Sequence, residues 1–467
     1  MTQGNESRSS GNGFGISGSG GIPALVSGEV GPTLLRLTLP MIIGIVSMVA
    51  FNLIDTIYIS MLGTRELAAL SFTFPVVMVM SSMALGLGMG ASAVISRAIG
   101  SGNMEQARRL TTDSLFLAVM LVGCCVIVGL LTIKPLFSAM GASEDIIELI
   151  SQYMTVWYPA MLFVVIPMTG NNVIRACGDT RTPAAIMMTA VVLNAILDPL
   201  LIFGIGPFPS MGIRGAAVAT MLSRSVTLVL SVYILHWQRK MVTLKIPGWT
   251  ELRNSWSPIL NIAIPAAATR LILPLGAGIL TRIAAQYGNG AVAAMGVATR
   301  IEFVALAVVM ALSSVLGPFT GQNYGAGRID RVREAFRISC RFSLQWGFGT
   351  AIVLYLLSGY LPALFSKDPD TLSALKSYLL IVPIGFGAQG IFALGASALN
   401  VLGRPLTAAA LSIVQMLLIT VPLAWIFSQS FGMTGIFGAI LIAFIIGGGL
   451  SGMLVRSTMA GLNPERV

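Results

Sequence analysis

The stretch ISRAIGSGNMEQARR at residues 95–109 recurs in altered form as TGQNYGAGRIDRVRE at residues 320–334. The two stretches align without a gap when Ile95 is placed on Thr320. The positions that they share are Gly100 with Gly325, Gly102 with Gly327 and Arg108 with Arg333. A loop that occurs twice in one register indicates an internal duplication.

The duplication extends well beyond this loop. In the same register LTLP (37–40) falls on IAIP (262–265), and with small gaps GIRGA (212–216) falls on GIFGA (435–439). The chain of 467 residues therefore divides into two homologous halves.

The composition indicates that both halves lie in a membrane. Hydrophobic residues make up 55% of the chain and charged residues only 10%, which is far from the balance of a soluble domain. Twelve apolar stretches are each long enough for a helix that crosses a hydrocarbon core of about 30 Å, and none alternates like a barrel strand. They lie near residues 34–61, 68–96, 113–137, 149–174, 183–204, 212–237, 256–286, 291–318, 337–362, 377–402, 406–430 and 433–457. We predict an all-α polytopic membrane protein with twelve transmembrane helices.

The basic residues indicate the orientation in the membrane. The net charge is +10, and most basic residues lie in the loops that follow the even-numbered spans. The positive-inside rule accounts for this pattern, so we expect no nucleic-acid partner and place both termini in the cytoplasm.

The predicted organisation has five parts. The Gly/Ser-rich start of the chain predicts a disordered tail, and the loop between the two halves predicts a linker. The parts are the disordered cytoplasmic tail (1–31), the N-terminal six-helix lobe (32–237), the cytoplasmic linker (238–255), the C-terminal six-helix lobe (256–459) and a second cytoplasmic tail (460–467).

Six spans per half have a consequence for symmetry. Because the number is even, both halves enter the membrane from the same side and form parallel repeats about an axis along the membrane normal. We expect a central cleft between two bundles that rock against each other, which favours a transport function.

Acidic residues inside the spans are the candidates for function, because an ionisable group in a transmembrane helix is costly unless it faces the bundle interior or water. They are Asp55, Asp198 and Glu302. We expect Glu302 to form an intramembrane ion pair, with Arg270 as a candidate partner, and assign no role to Arg224.

Asp55 and Asp198 are predicted to share a pocket. At 1.5 Å per residue, both lie roughly 8–10 Å below the outer boundary of their spans. Asn194 lies one turn before Asp198, Asn52 neighbours Asp55, and Thr220 in span 6 reaches a similar depth. Carboxylates in an apolar surround can hold a proton near neutral pH. The oxygens of Asp55, Asn194, Asp198 and Thr220 also suit Na⁺, so the coupling ion stays open between H⁺ and Na⁺.

The duplication provides an internal comparison for this pair. Leu280 stands where the first half has Asp55, and Val421 or its neighbour stands where it has Asp198. A structural brace would be expected in both halves, so the asymmetry favours a functional role.

Taken together, these features resemble the multidrug and toxic compound extrusion (MATE) transporters over residues 32–460. The resemblance is carried by the elbow loops 95–109 and 320–334, by RACGDTRTP (175–183), and by the acidic pair. Within the family the chain looks most similar to the DinF-like branch. That branch has a span-1 aspartate and a span-5 Asn-x-x-x-Asp pattern, here in FNLIDTIYIS (51–60) and LNAILDPLLIFG (193–204).

The resemblance implies roles for further residues. Pro40, in the first third of span 1, matches a proline at which bending has been linked to protonation of the span-1 aspartate, although a passive kink is equally open. Thr220 matches a threonine beside the aspartates, and Tyr153 and Asn171 are weaker matches. The NorM-like branch has an acidic residue in span 7 or span 10 that this chain lacks, which argues against a cation site in the C-terminal lobe.

The implied function is export of amphipathic, often cationic organic compounds in exchange for H⁺ or Na⁺. No cofactor and no enzymatic activity are expected, and the expected partners are the small-molecule cargo and the lipid bilayer. We expect a monomer in a bacterial inner membrane. A lipid-linked precursor flippase of the same superfamily is the nearest alternative. An intramembrane aspartyl protease is a more distant one, because Asp55 follows Ile54 and Asp198 follows Leu197, unlike the contexts of that dyad.

Overall fold

The computed structural model describes residues 25–243, 245 and 248–462, apart from the side chains of Ala50, Asn52, Leu53, Ser60 and Thr64. These residues form helices joined by short connections, with no strand among them, which confirms the all-α prediction. The α-helices are α1 (Val30–Ser60), α2 (Thr64–Gly100), α3 (Met104–Ala139), α4 (Glu144–Ala176), α5 (Arg181–Phe203), α6 (Gly212–Tyr233), α7 (Trp249–Ala284), α8 (Asn289–Gly325), α9 (Ile329–Leu357), α10 (Pro369–Ile381), α11 (Phe386–Val401), α12 (Pro405–Ile413) and α13 (Val421–Ala460).

The described residues account for the twelve predicted crossings. Ten segments are long and apolar enough to cross a membrane. The last of these, Pro405–Ala460, covers two predicted spans, and Gly432 interrupts it with a φ of 59°. The helix α9 supplies the remaining span, with charged residues in its first half and an apolar second half.

The duplication appears as a symmetric helix crossing. The helices α2 and α8 are equivalent in the two halves and meet at their C-terminal ends. A Cβ atom added at Gly100 would lie 2.1 Å from the carbonyl oxygen of Gln322. One added at Gly325 would lie 2.1 Å from the carbonyl oxygen of Arg97. Gln322 and Arg97 occupy equivalent positions in the two aligned stretches, so each contact is the image of the other and each requires glycine.

The two lobes also approach closely along α2 and α7. A Cβ atom at Gly90 would lie 2.5 Å from the carbonyl oxygen of Ile259, and one at Gly86 would lie 2.6 Å from that of Ala263. Both contacts lie in the second half of α2 and the first half of α7. The lobes therefore touch at the predicted cytoplasmic end.

A short segment before α1 is bound to the opposite lobe. The amide of Leu25 donates to Oε1 of Gln322 at 3.1 Å, and Nδ2 of Asn323 donates to the Leu25 carbonyl at 3.0 Å. Arg331 donates from Nη1 to the carbonyl of Gly28 at 2.7 Å. The side chains of Leu25, Gln322 and Asn323 are almost fully buried. The N-terminal segment thus fastens the start of the chain to α8 and α9.

This segment shifts the boundaries expected from the sequence. Residues 25–31 fall within the predicted disordered tail, but they are fixed by these bonds, and α1 begins at Val30. The linker expected at 238–255 ends earlier, because α7 begins at Trp249. Residues 1–24 and 463–467, which make up most of the two predicted tails, lie outside the described residues.

Candidate functional site

Two helices of the N-terminal lobe carry the acidic pair. The helices α1 and α5 pack side by side. On α5, Asn194 and Asp198 lie one turn apart, and Nδ2 of Asn194 donates to Oδ1 of Asp198 at 3.0 Å. Both side chains are fully buried. The sequence predicted that these two residues share one face of the helix, and the structure adds a hydrogen bond between them.

Asp55 and Tyr153 complete the centre of the site. Asp55 on α1 is partly buried. It lies near enough to Asp198 for their charges to interact, and the hydroxyl of Tyr153 on α4 lies within range of both carboxylates. Tyr153 itself is only 4% exposed. In the region predicted from helix depth, Asn194 is hydrogen-bonded to Asp198, and Asp55 and Tyr153 lie within electrostatic range of Asp198.

Three acceptor atoms in this pocket lack a donor. Among the described residues, no hydrogen bond reaches Oδ1 of Asp55, Oδ1 of Asn194 or Oδ2 of Asp198, although all three atoms are buried. Buried acceptors are nearly always satisfied, and leaving one unpaired is costly. A proton on a carboxyl group or a hard cation with oxygen ligands would supply what these atoms lack.

The other predicted site residues have no described contact with the two carboxylates. Thr220 is 8% exposed on α6, which packs against α5. Asn52 lies on α1, but its side chain is outside the described part of the structure. Asn171 lies on α4, and the 18 residues between it and Tyr153 correspond to about 27 Å of helix. Asn171 is therefore far from the carboxylates, near the predicted cytoplasmic end.

Pro40 lies inside α1, which continues through it from Val30 to Ser60. The proline removes one backbone donor from the helix without ending it. This position between the N-terminal segment and Asp55 is compatible with a hinge, which stays a prediction.

The ion pair expected for Glu302 is absent from the described residues. The hydroxyl of Tyr378 on α10 instead donates to Oε2 of Glu302 on α8 at 3.0 Å. Tyr378 also packs edge-on against Phe437, with ring centroids 5.4 Å apart. The duplication pairs Tyr378 with Tyr153, but Glu302 falls on Val77, so the repeat gave no signal for this partner.

Two arginines lie within the spans without a carboxylate partner among the described residues. The guanidinium of Arg224 on α6 lies 4.6 Å from the ring centroid of Phe51, and its Nε is buried and unpaired. Arg270 lies midway along α7, one turn beyond Ala267, which contacts Gly86 across the seam between the lobes. Its side chain is exposed.

The family match falls into two segments, one in each half of the duplicated chain. The MatE family model matches residues 40–200 and 265–426, which together cover more than half of the chain. The two matched segments begin at Pro40 and Pro265, which are equivalent positions in the register that aligns the elbow loops.

Curated relatives cover nearly the whole chain. A protein named FAD transporter from Shewanella oneidensis is 42% identical over 424 residues, 91% of this chain and 94% of the relative. A multidrug export protein, MepA from Staphylococcus aureus, is 25% identical over 413 residues, 88% of this chain and 90% of the relative.

Solved structures show the same architecture. The Vibrio cholerae MATE transporter VcmN in the bent form has a TM-score of 0.87 and 32% identity, and the match covers 92% of this chain and 97% of VcmN. An outward-facing multidrug resistance MATE transporter of the MOP superfamily has a TM-score of 0.88 and 26% identity, with 96% and 99% covered. The chain therefore belongs to the MatE family of membrane transporters, and it is not an enzyme.

Proposed function

We propose that the chain is a secondary antiporter that exports a small organic compound in exchange for H⁺ or Na⁺, with Asp55 and Asp198 as the coupling site. The observation that carries this proposal is the pair of buried carboxylates with unsatisfied oxygens beside Tyr153. No hydrogen-bond donor among the described residues reaches these oxygen atoms, so a small cation is the partner that best fits them.

Coupling would follow from the cost of an unneutralised charge. With a proton or Na⁺ bound, the carboxylates are neutralised and tolerate an apolar surround. When the cation leaves, the site favours a state in which water or another donor reaches Asp55 and Asp198. A ligand shifts a conformational equilibrium only through such a difference in affinity between two states.

The contacts of α2 with α7 and α8, which close the seam between the lobes, must open during the transport cycle. Opening at the predicted cytoplasmic end requires α2 to separate from α7 and α8. Gln322 on α8 would lose its hydrogen bond to the Ala176 carbonyl of the N-terminal lobe, which measures 2.6 Å. We propose that Pro40 is the point at which α1 bends during this motion.

Two cargo classes are candidates. Export of amphipathic cationic compounds, which the sequence resemblance implies, is supported by relatives named multidrug export proteins. Export of FAD is supported by the 42% identical relative named FAD transporter. The unpaired arginines Arg224 and Arg270 also favour FAD, because guanidinium groups bind phosphate and repel cations. We therefore propose FAD, or a related anionic flavin, as the cargo.

A transport assay with purified protein in liposomes tests both parts. Vesicles with an imposed H⁺ or Na⁺ gradient are supplied with FAD or with a cationic dye, and movement of each is followed by fluorescence. We expect FAD to move against its gradient when one of the cations is supplied. Arg270→Ala should reduce FAD movement much more than dye movement.

The outcomes separate the two claims. Movement of the dye but not of FAD would overturn the cargo assignment and leave antiport intact. If neither compound responds to either ion gradient, the antiport proposal itself is wrong.

A further inference from the structure

A basic cavity lies at the predicted cytoplasmic end of the N-terminal lobe, far from the carboxylate site. It has a volume of about 510 Å³. It forms between the first turns of α3 and the segment that follows α6. Its lining residues are Arg108, His236, Trp237, Lys240, Val242 and Thr243.

The walls of the cavity are fixed by the surrounding structure. The amide of Thr243 donates to Oγ1 of Thr112 on α3 at 2.9 Å, which ties the segment to that helix. Arg239 forms an ion pair with the largely buried Asp179. Lys240 adopts a left-handed backbone conformation with φ of 50°, which is strained for a side-chain-bearing residue and persists only where its surroundings impose it.

No carboxylate among the described residues neutralises the charge of the cavity. Arg108 and Lys240 are exposed, and neither forms an ion pair among the described residues. Glu105, one turn before Arg108, makes no ion pair with it in this part of the chain. The carboxylates of Asp113 and Asp179 are already paired with Arg109 and Arg239.

Exposed aromatic rings place the cavity at the membrane boundary. Trp237 is 61% exposed and Tyr233 is 50% exposed, and their rings stack at 5.4 Å between centroids. Exposed Trp and Tyr at the end of a transmembrane helix are typical of the interface where lipid headgroups lie. The cavity therefore lies within reach of lipid headgroups.

We propose that this cavity binds the phosphate group of an anionic membrane lipid, with Arg108 and Lys240 as the charged contacts and Trp237 against the upper acyl region. Basic pockets between transmembrane helices on the cytoplasmic side suit such headgroups. This site is independent of the proposed cargo and coupling ion.

Lipid binding to the intact protein in detergent tests the proposal. The protein is titrated with cardiolipin, phosphatidylglycerol and phosphatidylcholine, and bound lipid is counted by native mass spectrometry. Each basic residue near an anionic headgroup contributes roughly fivefold in affinity, so Arg108→Ala with Lys240→Ala should weaken binding of the anionic lipids about thirtyfold. The matched control is Arg337→Ala with Arg404→Ala, which removes the same charge from exposed sites elsewhere on the predicted cytoplasmic face.

Each outcome decides the proposal. Loss of anionic lipid in the cavity variant, retention in the control and no binding of phosphatidylcholine would support it. Equal weakening in both double variants, or displacement of the lipid by millimolar inorganic phosphate alone, would overturn it. Arg108→Gln with Lys240→Gln serves as a second cavity variant if the alanine variant fails to fold, and thermal unfolding monitors this.

Discussion

The two lobes of the molecule surround equivalent tyrosines with different chemistry. In the C-terminal lobe, Tyr378 donates to Glu302, and this carboxylate has its partner. In the N-terminal lobe, Tyr153 lies within electrostatic range of Asp55 and Asp198, and each of these carboxylates keeps one buried oxygen without a donor among the described residues. The duplication preserved the tyrosine, while the acidic residues around it came to differ. The lobe whose carboxylates keep unsatisfied oxygens is the one expected to bind a cation.

The packing between the lobes, in contrast, is the same on both sides. Gly100 meets Gln322 and Gly325 meets Arg97 at the same distance, so the crossing of α2 and α8 is symmetric. Backbone contacts of this kind tolerate no Cβ atom on either side. The duplication therefore preserved the interface on which both lobes depend and varied the polar groups inside each lobe.

The largest effect is expected at the unsatisfied carboxylates. Asp198→Asn keeps the shape of the side chain but removes its charge, so ion-driven export should fall to the leak of protein-free liposomes. Glu302→Gln is the matched control, because it makes the same change at a carboxylate that has its hydrogen-bond partner. We expect this control to retain coupled export in the proteoliposome assay. Equal loss in both variants would show that the two lobes do not differ in this role.

The symmetric crossing predicts a large loss of stability. Gly100→Val places atoms against the main-chain carbonyl of Gln322, which cannot rotate away, and overpacking of this kind costs about 1–3 kcal/mol or more. Gly123→Ala in α3 is the control, since no atom lies within 4 Å of its added Cβ. Thermal unfolding of the purified variants should show a lower midpoint for the first only. An unchanged midpoint for Gly100→Val would mean that the lobes do not meet there.

The hydrogen-bond network of the N-terminal segment predicts an intermediate effect. Gln322→Ala leaves the buried Leu25 amide and Ala176 carbonyl without this partner, at a cost of about 1–3 kcal/mol. We expect the closed arrangement at the predicted cytoplasmic end to be weakened. A cysteine placed beside the seam should then react faster with a water-soluble thiol reagent. Gln345→Ala, which removes an exposed glutamine of α9, should leave that rate unchanged.

The smallest effect concerns the starts of two equivalent helices. Asp368 caps α10 by accepting from the amide of Thr371 at 2.9 Å, whereas Ser143 makes no side-chain cap bond at the start of α4. Hydrogen bonds from the Thr371 hydroxyl and amide hold the pKa of Asp368 below its ordinary value. Because this pKa is lowered on folding, the stabilisation is present at neutral pH and is lost as the pH falls through the lowered value.

Asp368→Ala should therefore lower the unfolding midpoint slightly at neutral pH and have no effect in acid. A midpoint difference for Asp368→Ala that grows as the pH falls would contradict the capping role.

Sequence patterns predicted much of this molecule because they report backbone and membrane constraints. Apolar length indicated the crossings, and the constant register between the two halves indicated the repeat that reappears in the contacts of Gly100 and Gly325. Helical spacing predicted that Asn194 and Asp198 share one face of α5, where the structure joins them by a hydrogen bond. Contacts between distant helices were harder to predict, because they depend on how the helices pack. The partner of Glu302 was therefore predicted wrongly, and the binding of Leu25 to Gln322 was missed.

The central claim is that Asp55 and Asp198 carry the cation that drives export. The direct measurement is cargo-driven ion movement in proteoliposomes without an imposed ion gradient, followed by internal pH and by ²²Na⁺. In wild-type protein, cargo moving one way should move H⁺ or Na⁺ the other way. In Asp55→Asn no counter-ion should move, while Glu302→Gln behaves like wild type. Counter-ion movement at the wild-type rate in Asp55→Asn would contradict the account.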